Sequence, residues 1–490
     1  MGRDRSSSPN VLLITLDQFR ADCLSCAGHP VVQTPALDHL AEQGFRLAKH
    51  YSQAAPCSPG RAALYTGTYQ MNNRVVANGT PLDARFDNIA HAARRAGYAP
   101  ALFGYTDQGV DPRLVDDPHD PRLSTYEGVL PGFDPVLDMS GWQQPWLDWL
   151  NGHGYDFADP VTALALEHER PAELSTSTFL TDAFLSWLGE QHEPWFAHLS
   201  YLRPHPPYSA AGEFSTMYDP ATCPTPLPVP SDRHRLFEGL LRSPVAAPTD
   251  PLAVAHMQSQ YFGMISEVDA QLGRVWARLQ SRGEWDETVI VVTADHGEQL
   301  GDQGLVQKAG FYESSYAVLG IVRDPRSGHV GVVDDFTENV DVMPTLCDAM
   351  GIEVPAQCDG FPLTPFLHGQ RPESWRDAAY YEWDWRDVFI PHGDHDWPWD
   401  RRLERQNLAV RRSHDTAFVH FGDGSWRCFD LAADPTWQTE VTDPHAVLAE
   451  AAAMLNWRSR NLDRTMTGML LQDGGIGRRP AQRSVVPTEW

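Results

Sequence analysis

Three short stretches of this 490-residue chain carry side chains that could do chemistry together. Two are strand ends. The apolar run Val11-Leu-Leu-Ile-Thr-Leu16 finishes at Asp17-Gln18, and Thr288-Val-Ile-Val-Val-Thr293 leads into Asp295-His296-Gly297. An Asp at a strand end more often caps a turn than binds a ligand. Two such ends, on the two strands that read most clearly as central, make a candidate carboxylate–carboxylate–imidazole metal site, because ligands of open α/β sheets collect at the carboxyl ends of strands. The third stretch is Ala55-Pro-Cys-Ser-Pro-Gly-Arg61, continuing to Gly67. Pro59 suits the first turn of a short helix and Gly67 its end. Cys57 then lies at a helix N-terminus, where free N–H groups and the dipole favour negative charge, and Arg61 can reach back to the same spot. Taken alone, a cysteine before a helix is most often a buried structural residue.

The elements around these residues alternate between strand and helix. Val11–Leu16 and Thr288–Thr293 are continuous apolar runs, as expected of strands buried on both faces. Thr34-Pro35 reads as an N-cap with Pro at the first helical position, Leu37, Leu40 and Ala41 as the buried stripe, and Gly44 as the stop. Ile89, Ala90 and Ala93 predict a helix before a strand at Tyr98–Phe103. Phe179, Ala183, Trp187 and Leu188 predict another before Trp195–Tyr201, and a long helix runs through Met257–Leu279. This is an α/β fold with a large, mostly parallel sheet sandwiched by helices. The proline-rich stretch Pro220–Pro251 reads as a surface excursion. From about Glu373, short alternating runs such as Ala417–Phe421 and the turn Gly422-Asp-Gly424 predict a small antiparallel sheet, with a helix over Ala446–Trp457. The expected division is a catalytic α/β domain over 1–372 and a C-terminal subdomain over 373–490.

Composition limits the function. Apolar residues make up 42% and charged residues 21%, enough for a substantial core. Lys and Arg number 38 against 65 Asp and Glu, a net charge of −27. That balance argues against nucleic acid or an anionic membrane as the main partner, so an anionic substrate needs locally concentrated positive charge. Seven cysteines are too sparse for a disulfide scaffold, and Cys23-x-x-Cys26 lacks a second pair to complete a zinc site. No stretch reaches the ~18 apolar residues of a membrane span, and a cytoplasmic protein is expected. Trp383, Trp385, Trp397 and Trp399 are read as packing residues or as the lining of an entrance or subunit contact. The tail after Asp463 is a candidate subunit contact, and a homo-oligomer is expected.

Cys57-x-Pro59-x-Arg61 resembles the core of the sulfatase signature, in which the cysteine is oxidised to formylglycine. Gly60 stands where that signature normally has Ser, Ala or Thr, and Pro56 also departs from it. The likeness extends over roughly Asn10 to Asp434, through Asp17-Gln18, Thr34-Pro35-x-Leu37-Asp38, Gly67-x-Tyr69 and Thr293-Ala-Asp-His-Gly297. The chain is identified as a member of the formylglycine sulfatase family within the alkaline-phosphatase-like superfamily. Typical members have Asp-Asp after the first strand and Asp-Asn after the later one. Asp17-Gln18 and Asp295-His296 are instead similar to phosphonate monoester hydrolases and the arylsulfatases nearest them. Gly67–Arg74, Gly104-Tyr-Thr-Asp107, Arg203-Pro-His-Pro-Pro207 and Gly304-Leu-Val-Gln-Lys308 also resemble that branch.

The resemblance implies a metal site of Asp17, Gln18, residue 57, Asp295 and His296, with Asn78, Tyr105, His205 and Lys308 lining the cleft. It implies Mn²⁺ or Ca²⁺ as the ion and a formylglycine-generating enzyme as a partner. A hydroxyl of the aldehyde hydrate at position 57 attacks sulfur or phosphorus, and the other expels the product as the aldehyde re-forms. Arg61 and the metal stabilise the non-bridging oxygens, with Lys308 as a further candidate, and His205 or Lys308 protonates the leaving oxygen. Sulfate monoester hydrolysis is the first reading. Phosphonate monoester or phosphodiester hydrolysis at the same site is the alternative, and an inactive binding protein with the same fold is the third.

Overall fold

The computed structural model describes residues 8–385, 405–462, 469–473 and 475–478. In chain order the strands of the two larger sheets are β1 (Asn10–Leu16), β2 (Phe45–Tyr51), β3 (Ala54–Ala55), β4 (Pro100–Gly104), β5 (Asp134–Asp138), β6 (Phe196–Tyr201), β7 (Thr288–Thr293), β8 (Gly320–Arg323), β9 (Gly331–Glu338), β10 (Ala378–Asp384), β11 (Asn407–Ser413), β12 (Thr416–Phe421) and β13 (Trp426–Asp430). Eight form one sheet in the order β5-β4-β6-β1-β7-β8-β2-β9, in which only β8 runs against its neighbours. The two apolar runs are adjacent central strands. Every residue of β1 and β7 is buried, which is why they read as unbroken hydrophobic stretches.

Alternation along β1 divides the core. Leu12, Ile14 and Leu16 pack with Phe184 and with Leu272 and Val275 of the Pro251–Arg282 helix on one face. Val11 and Leu13 pack with Ala62, Leu64, Met343 and Leu346 on the other. Helices therefore cover both faces, as parallel strands require.

The 35–42 helix begins where expected but is capped differently. Thr34 makes no cap; its hydroxyl bonds Ser25 and Asp38. The amides of Ala36 and Leu37 instead donate to the carboxylate of Asp269, at 2.9 and 2.8 Å. The Pro220–Pro251 stretch also differs from its reading as a mere excursion. It contains a short helix, Arg235–Leu240, whose Leu236, Phe237 and Leu240 are buried in an aromatic cluster with Tyr312 and Trp437.

The second sheet, β13-β12-β11-β10-β3, is antiparallel except at its last edge, where Ala54–Ala55 pairs in parallel with Glu382–Trp383. The small sheet is thus joined to the residues immediately before Cys57. Trp383 and Trp385 are buried and pack together, with ring centroids 5.9 Å apart. Trp397, Trp399 and most of the tail beyond Asp463 lie outside the described residues. Among the described residues no helix is long and apolar enough to cross a membrane.

Candidate active site

Asp17, Cys57, Asp295 and His296 converge at the carboxyl ends of β1 and β7, which parallel pairing brings side by side. One ligand atom from each lies within 4.8 Å of the others, and all four residues are buried. Strand β3 and Pro56 deliver Cys57 to the first turn of a helix, Cys57–Thr66, closed by Gly67 in the left-handed conformation. Asn78 Oδ1 accepts from the Ser58 amide at 2.9 Å, satisfying one free N–H of that first turn. Gly60 has a packing reason: a Cβ there would collide with the backbone oxygen of Asp295 and lie 2.9 Å from that of Ala54. The departure from the signature lets the helix sit directly on the backbone of Asp295.

Arg61 does not present its guanidinium to a substrate. It is fully buried and donates to Asp295 Oδ2 at 2.9 Å, Asp17 Oδ2 at 3.1 Å, Ser200 Oγ at 2.8 Å and the Tyr105 carbonyl at 3.2 Å. A buried cation must be paired, and here the pairing orients both carboxylates. The expected contact of Arg61 with non-bridging oxygens is corrected accordingly.

Tyr105 donates to Asp17 Oδ2 at 2.6 Å, so that oxygen is occupied twice, while buried Asp17 Oδ1 has no hydrogen-bond partner. Burial alone would raise the Asp17 carboxyl, but the cationic neighbours Arg61 and Lys308 outweigh it and hold it well below its ordinary range. The His296 Nδ1 lies 3.1 Å from the Gly297 carbonyl, which can only accept, so Nδ1 carries the hydrogen. Its Nε2 is then a bare donor atom, 3.3 Å from Cys57 Sγ, and burial keeps the ring neutral. An orphaned carboxylate oxygen, a second carboxylate and a correctly turned neutral imidazole fit one divalent cation.

Gln18, with φ of 68°, lies beside this cluster with its amide engaged at both ends. Nε2 donates to Glu298 and Oε1 accepts from Lys308 Nζ at 2.9 Å. Lys308 Nζ is also 3.1 Å from His205 Nε2. Burial opposes the charge on Lys308, but the nearby carboxyl groups of Asp17 and Asp295 outweigh it and raise its pKa. Burial and the Lys308 charge together push His205 down to about 3. Lys308 is therefore the protonated member of the pair.

The structure adds residues that the motifs alone did not single out. Glu298, fully buried, accepts from Gln18, from Tyr208 at 2.9 Å and from the amides of Leu300 and Gln307. It ties the end of β1 to the loop bearing Lys308, and its position directly after Asp295-His296-Gly297 was the available signal. Asp107, at a φ of 52°, places its carboxyl 3.4 Å from Arg61 Nε, where burial raises its pKa well above the ordinary range. Asn339 accepts from Thr293 at 2.8 Å and donates to the Ala294 carbonyl at 2.8 Å, holding the end of β7.

The fold and the cluster at its strand ends are matched by known proteins. The family described as Sulfatase matches residues 9–352, and that described as N-sulphoglucosamine sulphohydrolase, C-terminal, matches residues 301–460. The chain belongs to the sulfatase family, whose members here are hydrolases of the alkaline phosphatase superfamily. The multifunctional alkaline phosphatase superfamily protein PehA of Trinickia caryophylli is 36% identical over 504 residues, covering 94% of this chain and 96% of its own. The crystal structure of the phosphonate monoester hydrolase of Agrobacterium radiobacter superposes with a TM-score of 0.87 at 40% identity, over 96% of this chain and all of that one. An arylsulfatase of Clostridium perfringens (strain 13 / Type A) is 25% identical, over 88% of this chain and 90% of its own.

Proposed function

We propose that this protein hydrolyses phosphonate monoesters and phosphodiesters, with sulfate monoesters as the second substrate class. Sulfate stands first on sequence alone. The 36–40% identity to PehA and the phosphonate monoester hydrolase, over at least 94% of the chain, supports the reverse order. These substrates each carry about one negative charge, and the half-buried cation Lys308 beside the ligand cluster suits them.

Asp17, Asp295, His296 and the side chain at position 57, with Gln18 Oε1 as the fifth group, would hold one divalent ion, Mn²⁺ or Ca²⁺, which supplies Lewis-acid polarisation of the ester. Cys57 is read as the precursor of formylglycine, made by a formylglycine-generating enzyme. The thiol itself is ill suited to attack, because burial raises its pKa well above the ordinary value. Arg61 aims the carboxyl groups of both Asp17 and Asp295, and Tyr105 shares in holding that of Asp17. Asn78 steadies the first turn of the helix that carries position 57. Lys308 has three N–H groups, of which Gln18 and His205 take two; the third is free to protonate the departing ester oxygen. His205, neutral, orients that ammonium.

The single observation that carries the reading is the convergence of Asp17, Cys57, Asp295 and His296 beside Lys308. The test is kcat/KM for a phenylphosphonate ester, an aryl phosphodiester and a nitrophenyl sulfate, using metal-loaded enzyme whose mass is about 18 Da below the unmodified chain. Phosphorus esters are expected to lead. A higher value for the sulfate reverses the order, and no turnover of any of the three by the modified enzyme refutes the hydrolase reading.

A further inference from the structure

The mechanism above uses His205 from the Arg203-Pro-His-Pro-Pro207 motif and leaves Arg203 without a task. Yet Arg203 is fully buried and its guanidinium is fully employed. Nε donates to Glu167 Oε2 at 3.0 Å, and one terminal nitrogen makes a shorter contact with the same oxygen. The other donates to the carbonyls of His205 at 2.8 Å and Pro207 at 2.9 Å. The Ser209 carbonyl, at 3.3 Å, completes a turn strung around one planar group. Glu167 is itself buried, with Oε1 pinned by the Thr176 amide at 2.9 Å. The pair can neither reach solvent nor touch a substrate.

What the turn delivers is an imidazole of defined orientation. His205 Nδ1 lies 2.7 Å from the Pro206 carbonyl, flanked on both sides by the carbonyls that Arg203 holds. A carbonyl only accepts, so Nδ1 carries the hydrogen and Nε2 is left as a bare acceptor towards Lys308 Nζ, 3.1 Å away. Were Nε2 protonated instead, two donors would face each other and Lys308 would be pushed out of register.

We propose that Arg203, clamped by Glu167, is a positioning residue that sets the tautomer and aim of His205 and thereby directs the free N–H of Lys308 at the leaving-group oxygen. This inference rests on the reading of Lys308 as the proton donor. A positioning role for proton donation has a signature that simple structural support lacks. Loss should be large for esters with poor leaving groups, which need the proton, and small for activated ones, which do not.

The experiment uses the full-length, metal-loaded enzyme carrying the paired substitution Arg203→Met/Glu167→Gln. It removes both buried charges together, and so avoids stranding one, while keeping an acceptor for the Thr176 amide. Arg203→Lys is the second variant; it keeps the charge opposite Glu167 but not the planar fork that reaches both carbonyls. Esters from nitrophenyl to phenyl are compared by kcat/KM. The ¹⁵N shifts of His205, assigned by difference from a His205→Gln sample, report the tautomer.

The expected result is a fall of about 10- to 100-fold for the phenyl ester and less than about 3-fold for the nitrophenyl ester, with the Nδ1–H signature lost or averaged. An equal loss on every ester with the tautomer unchanged overturns the proposal. Lys308→Ala separates the two levels of the argument. If it shows no leaving-group dependence, the donor assignment fails. If it shows the dependence and the Arg203 variants do not, only the positioning role fails.

Discussion

Glu267 offers a quantitative test of the electrostatics beneath the His205 turn. It projects from the Pro251–Arg282 helix, is fully buried, and leaves Oε1 without a hydrogen-bond partner. Burial, then the charge of Glu167, push its pKa from 4.5 up to about 7, against the opposing pull of Arg203 and the hydroxyls of Ser175 and Ser177. The folded protein therefore binds this proton more tightly than the unfolded chain does. Stability associated with it is fully present below pH 4.5 and lost as pH rises through about 7. A rise from 4.5 to about 7, at about 1.4 kcal/mol per pH unit, corresponds to about 3 kcal/mol lost by pH 8. Glu267→Gln keeps the shape and stays neutral, so it should match the parent near pH 4 and exceed it by about 3 kcal/mol at pH 8. The assay is urea unfolding of both proteins at the two pH values, comparing midpoints at constant slope. A variant that gains nothing at pH 8, or loses equally at both, would show that Glu267 is ionised and held by Arg203, and would refute the reasoning.

Two further outcomes are expected. Gly60→Ser, which restores the residue common in the signature, should lower the melting temperature and cut activity by at least about 10-fold, because the helix must lift off the Asp295 backbone oxygen; unchanged melting and turnover would mean the helix can move freely. Asp17→Asn and His296→Ala should each abolish stoichiometric Mn²⁺ or Ca²⁺ binding by calorimetry. Retention of one tight equivalent by both variants would place the ion elsewhere.

Much of the site was legible because its carriers are extreme in composition. Strands buried on both faces must be apolar throughout, so β1 and β7 stand out, and the polar residues that end them are conspicuous. Proline and glycine punctuate the Cys57 helix for equally local reasons. The edge of the large sheet was not legible. β5, Asp134–Asp138, is largely exposed and holds a proline, and β9, Gly331–Glu338, is interrupted by Asp334 and Asp335, so neither shows the period of a buried strand. The Arg235–Leu240 helix is hidden by prolines on both sides. Asp269 caps a helix more than 200 positions away, which no local pattern announces.

Residue types and spacing by themselves determined the sheet class, the two central strands, the helix start at Cys57 and the groups able to serve a metal-assisted ester hydrolysis. Those features follow from burial, backbone punctuation and side-chain chemistry, all of which are local. Tertiary structure alone decided how the groups divide the work. Whether Arg61 meets a substrate or two carboxylates, and which ring nitrogen of His205 carries the hydrogen, depends on partners from distant segments competing for the same donors and acceptors. A buried polar group takes whichever partner the packing brings within reach, and that choice is made only when the chain has folded.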